Sequence, residues 1–110
     1  MALSPEFFPY IEAFEWDDGN SDKNWARHEV SQAEAEQVFL NRPLIVAADP
    51  AHSTQEARQF ALGRTDGGRF LMVVFTLRRP LLRVISARPM SRRERKVYAE
   101  AEAKSTAAAL

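Results

Sequence analysis

The apolar stretch Phe70 to Leu77 is continuous rather than alternating, with Val73, Val74 and Phe75 at its centre, which is the pattern of a strand covered on both faces. It predicts the middle of a sheet. Leu81 to Ala87 follows as a second run of strand formers after only Arg78, Arg79 and Pro80, and so small a gap implies an antiparallel hairpin. Regular alternation in this second strand sends Arg83, Ile85 and Ala87 to one face and Leu82, Val84, Ser86 and Arg88 to the other. Upstream, Ala57 to Arg64 places Arg58, Phe60, Leu62 and Arg64 on one side of a third strand, and Thr65-Asp-Gly-Gly68 has hairpin composition. Strands over 57–64, 69–77 and 81–87 therefore predict an antiparallel meander. Leu44 to Ala48 is a further short strand, and Tyr10 to Trp16 alternates loosely, as an edge strand does.

Helix signals flank the strands. Ser31-Gln-Ala-Glu34 and Ser91-Arg-Arg-Glu94 both have capping-box spacing, in which the serine hydroxyl accepts from the third helical amide and the glutamate reaches back. The first box, with Val30 and Ala35 placed as a hydrophobic staple, predicts a helix to about Leu40 that buries Ala35, Val38 and Phe39 and is stopped by Asn41 and Pro43. The second predicts a C-terminal helix once Pro89 has ended the strand. Asp17-Asp-Gly-Asn-Ser21 reads as a turn, and a short helix from about Asp22 to His28 sets Trp25 and His28 three apart. The predicted fold class is α+β, a small antiparallel sheet of meander type with N-terminal helices and a C-terminal helix packed on it.

Length and composition narrow the setting. A chain of 110 residues without a composition break makes one domain, residues 1–106; the terminal stretch 107–110 reads as a vector-derived tail and is set aside. The absence of cysteine excludes a disulfide framework and thiolate chemistry, and is compatible with a reducing cytoplasm. No apolar run reaches the length of a membrane span and the N-terminus lacks a signal-peptide pattern, so a soluble, cytoplasmic domain is expected. Formal neutrality hides a separation of charge: residues 1–40 carry nine acidic groups against Lys23 and Arg27, whereas Arg78 to Lys96 carries eight basic groups against Glu94 alone. Either the basic segment faces an anionic partner or the two ends neutralise each other in the fold.

Candidate chemistry follows by elimination. The two histidines, His28 and His52, form no metal-binding pattern, and no GxSxG elbow, P-loop or GxGxxG is present. No metal and no cofactor is expected. A basic surface can still cleave RNA through its 2′-hydroxyl, given a group to take that proton, one to protonate the leaving oxygen, and cations to hold the charge on phosphorus. Guanidinium suits the last role through its planar fork and is a poor base at neutral pH. Arg83 and Arg88 are accordingly clamp candidates, with Glu56 or His28 as proton carriers. Each has a plainer reading: Glu56 pairing with Arg58, His28 packing beside Trp25, and Arg92, Arg93 and Arg95 forming a solvated helix face. Arg83 in mid-strand must either meet a carboxylate or open onto an anion site.

The succession Phe14-Glu-Trp16-Asp17, Asn24-x-x-Arg27-His28-x-Val30-Ser31, Glu56-x-Arg58 with Gly63, Gly68-Arg69, Arg83-Val-Ile-Ser86-Ala-Arg88 and Arg93-Glu94-Arg95 with Tyr98 resembles the BrnT family of toxins. The likeness spans residues 14 to 98. It implies a RelE-like fold, a ribonuclease that stops translation, and neutralisation by BrnA, a ribbon-helix-helix antitoxin that supplies the DNA contacts when the complex represses its operon. By motif match it assigns the catalytic group to Glu56, Arg58, Arg83 and Arg88, with Lys23, Arg27, His28, Arg69 and Arg93 expected to contact RNA. The chain departs from the family pattern at Asn20, where the family has lysine, and at Glu29, where it has glycine. The first departure supports a second reading, a weakened or inactive toxin-like module that acts within a repressor complex.

Overall fold

The computed structural model describes residues 11–49 and 57–109, with residues 18, 20 and 105–109 described by backbone alone. Its elements in chain order are β1 (Ala13–Glu15), α1 (Asp18–His28), α2 (Gln32–Leu40), β2 (Ile45–Ala48), β3 (Arg58–Arg64), β4 (Phe70–Arg78), β5 (Leu81–Pro89) and α3 (Arg92–Ala109). The predicted meander, β3-β4-β5, is the antiparallel middle of a five-stranded sheet of order β1-β5-β4-β3-β2. Strand β2 extends it antiparallel to β3. Strand β1, however, runs parallel to β5, so the sheet is mixed and the wholly antiparallel expectation is corrected. A parallel pair needs a long connection, and here the connection is nearly the whole fold, which leaves no local signal in the sequence.

Helix α1 also begins earlier than its pattern suggests. The Ser21 N–H donates to the Asp17 carbonyl at 2.9 Å, so the cluster read as a turn forms the first helical turn. Aspartate and serine favour helix starts as much as turns. The helix closes at Glu29, whose φ is +53° and whose N–H still reaches the Trp25 carbonyl at 2.9 Å.

Strand β4 is apolar from Phe70 to Phe75 because both its faces are packed there. Leu71, Val73 and Phe75, with Leu82, Val84, Ala87 and Ala61, meet Val30, Ala35, Val38 and Phe39 on the α2 side. The rings of Phe39 and Phe75 meet edge to face at 5.1 Å and 87°, a favoured aromatic geometry. On the opposite side a smaller cluster of Ile45, Leu62, Met90 and Tyr98, with Phe60, Phe70 and Met72 packed against it, seats α3. The Tyr98 hydroxyl donates to the Pro43 carbonyl at 2.7 Å, and burial, with the Glu102 charge nearby, pushes its pKa up to about 12.

One irregularity decides where the basic side chains go. From Leu71 to Thr76 β4 advances five residues while β5, from Arg83 to Pro89, advances six, with Val74 opposite Ser86 and Phe75 opposite Val84. The extra residue is a β-bulge. Regular alternation placed Arg83 and Arg88 on opposite faces. The bulge corrects this: Leu82, Val84 and Ala87 all enter the α2-side core, and Arg83 and Arg88 both stand on the other face.

Candidate functional site

Strand register builds a polar row across that face. Glu15 on β1 is opposite Arg83 on β5, Arg83 is opposite Thr76 on β4, and Thr76 is opposite Arg58 on β3. At the spacing of neighbouring strands the two arginines start about 10 Å apart. The Arg83 guanidinium lies 3.3 Å from Glu15 and 3.2 Å from Asp17, and Glu15 also takes Arg78 at 3.3 Å. The mid-strand arginine thus meets two carboxylates, as its partly buried charge requires. The Thr76 hydroxyl donates to the Ala57 carbonyl at 2.8 Å.

Two further arginines are fixed by the capping boxes. Ser31 and Ser91 both form the predicted reciprocal bonds, Glu34 N–H to Ser31 Oγ at 3.1 Å and Glu94 N–H to Ser91 Oγ at 3.2 Å, with Glu34 and Glu94 accepting from the serine N–H groups. Each glutamate also holds an arginine from the sheet. Arg88 binds Glu94 through two parallel bonds of 2.8 and 2.9 Å. Arg69 binds Glu34 at 2.9 Å and donates to the His28 and Glu29 carbonyls at the end of α1. Burial alone would raise both carboxyls, but the serine amides and the guanidinium groups outweigh it and hold Glu34 and Glu94 below the ordinary value of 4.5.

Between α1 and the outer part of β5 lies a cleft of about 320 Å³ lined by Lys23, Asn24, Arg27, His28, Ile85, Ser86, Ala87 and Arg88. Helical spacing explains the α1 contribution: positions 23, 24, 27 and 28 share one flank. Among the described residues neither Lys23 nor Arg27 forms an ion pair, and both are exposed. Helix α1 is seated there by Asn24, whose side-chain oxygen accepts the Ala87 N–H at 3.1 Å. The bond also covers a stretch of strand edge that β1 is too short to reach.

Of the expected site residues, the fold brings Lys23, Arg27, His28 and Arg88 together in this cleft, while Arg58 and Arg83 share the row across the sheet. Arg69 lies at the junction of α1, α2 and β4. Arg93 lines a different groove, of about 390 Å³, with Ile45, Phe60, Leu62 and Val97. Glu56 and His52 lie outside the described residues. Trp25 is 58 % exposed, whereas His28 is half-buried. Sequence reasoning gave no role to Glu15, Asp17, Thr76 or Asn24, although Asn24 opens the motif Asn24-x-x-Arg27-His28 and so stands three and four residues before Arg27 and His28.

Comparison with known proteins bears on this arrangement. A family model described as the ribonuclease toxin BrnT of type II toxin–antitoxin systems matches residues 16–94. A crystal structure of the Brucella abortus ribonuclease toxin BrnT matches with a TM-score of 0.55 and 24 % identity, over 74 % of this chain and 100 % of that one, a likeness of fold. No curated protein matches.

Proposed function

Since the chain belongs to the BrnT family of ribonuclease toxins of type II toxin–antitoxin systems, we propose that it is a metal-independent endoribonuclease of RelE-like fold that inhibits translation in the cytoplasm. A BrnA-like ribbon-helix-helix antitoxin neutralises it, and operator DNA is met only through that complex. The observation carrying this reading is the cleft in which Lys23, Arg27, His28 and Arg88 converge on a chain with no net charge. RNA phosphates enter the cleft, drawn by the cations. The Arg83 guanidinium then exchanges its carboxylates for a phosphate, an exchange its planar fork allows, and Arg58 adds a second cation along the row. Glu56 or His28 moves the proton of the 2′-hydroxyl.

Induced expression should arrest growth, and the purified protein should cut RNA in EDTA. Arg83→Ala should relieve toxicity while staying folded; a folded variant with full toxicity would remove Arg83 from the mechanism. A second reading, an inactive module kept for complex formation, is favoured by Asn20 in the family's lysine position and by the ion pairs that occupy Arg83 and Arg88. Asn20→Lys discriminates. Cleavage that the added lysine leaves unchanged would count against that explanation.

A further inference from the structure

Asn24 is 5 % exposed and stands where α1 crosses β5. Its side-chain oxygen is committed to the Ala87 N–H, which fixes the orientation of the amide because the reverse assignment would set a donor against a donor. The nitrogen, Nδ2, has less than 1 Å² of surface and no acceptor among the described residues. A buried amide donor left unpaired costs about 1–3 kcal/mol, and folded proteins pair most such groups. The same residue lines the basic cleft beside Lys23, Arg27, His28 and Arg88.

We propose that Asn24 Nδ2 is a substrate-binding donor that takes a non-bridging phosphate oxygen of RNA held in this cleft. The inference rests on the ribonuclease reading above and gives Asn24, which the motif contains without a role, a part in that site. The surroundings choose the ligand class, since Lys23 and Arg27, cations without an ion pair among the described residues, line the cleft beside a neutral donor and match an acceptor-rich, negatively charged group. The exposed lysine and Arg27 attract from changing positions; an amide clamped by a backbone N–H gives one fixed direction, and so sets the register of the strand. Reaching the nitrogen requires side chains of the cleft to shift, since its surface is below 1 Å².

The test is an NMR titration of the ¹⁵N-labelled full chain with a 2′-O-methyl oligoribonucleotide, which the 2′-hydroxyl route cannot cut, and separately with inorganic phosphate. The side-chain amide signals of Asn24 should move with the oligonucleotide and saturate together with the backbone signals of Arg27 and Ser86. In parallel, Asn24→Ala should weaken oligonucleotide binding about tenfold with an unchanged salt slope, whereas Arg27→Ala should lower that slope by roughly 0.7, the contribution of one phosphate contact on a single strand. If Arg27 and Ser86 respond while the Asn24 side chain does not, the inference fails and the RNA reading stands. If no cleft signal responds, both fail. Should Asn24→Ala not fold, the titration of the unaltered protein decides alone.

Discussion

At Glu29 the backbone turns left-handed, with φ +53°, a conformation that costs a side-chain-bearing residue about 1–2 kcal/mol and glycine almost nothing. The glycine of the family pattern therefore has a mechanical reason. Glu29→Gly should raise the unfolding free energy by about 1 kcal/mol, seen as a higher urea midpoint at unchanged slope. Gly63 is the converse case. A Cβ there would lie 2.7 Å from Val38 Cγ1 and 3.0 Å from the Val38 carbonyl oxygen, so α2 could not keep its seat on β3. Gly63→Ala should lose about 1–3 kcal/mol, measured in the same denaturation experiment. Single residues were legible in the sequence as needs rather than as partners. That Arg83 required an anion could be read from its mid-strand position; that Glu15 and Asp17 supply it could not, because they arrive at the end of a parallel edge strand and just beyond it, more than sixty residues earlier.

Helices with capping boxes announced themselves because the box is a local device: Ser31 with Glu34 and Ser91 with Glu94 satisfy orphan amides within one turn. What the spacing did not disclose is that both glutamates also fasten the sheet, through Arg69 and Arg88. The double duty has a pH signature. Both carboxyls are held below 4.5 in the folded chain, so their stabilising contribution is complete above the unfolded value and is lost as pH falls through the lower folded values. Urea unfolding followed from pH 7 to pH 3 should show stability declining from about pH 4.5 downward. The double variant Glu34→Gln, Glu94→Gln should be less stable at pH 7 and flatter across that window. The start of α1 was misjudged for the opposite reason, since Asp, Gly, Asn and Ser serve turns and helix starts alike and only packing decides between them.

For the molecule as a whole, the charge separation along the chain is in part cancelled within the fold, where its acidic and basic ends meet. Glu15 and Asp17 neutralise Arg78 and Arg83, while Lys23, Arg27 and Arg88 still gather in one cleft. The order of the three middle strands could be derived from apolar runs and short gaps. The edge at β1 could not, because β1 pairs with β5 across nearly the whole intervening chain. Nor could the bulge, whose effect is to let six residues of β5 keep pace with five of β4. Its consequence inverts an ordinary expectation about strands. Removing one amino acid from a regular ladder exchanges inside for outside beyond the cut, so a chain lacking Gln59 from β3 should be insoluble. A chain lacking Ile85 should instead melt within a few degrees of the parent, because the shortened strand falls into step with its neighbour and every remaining side chain keeps its hemisphere.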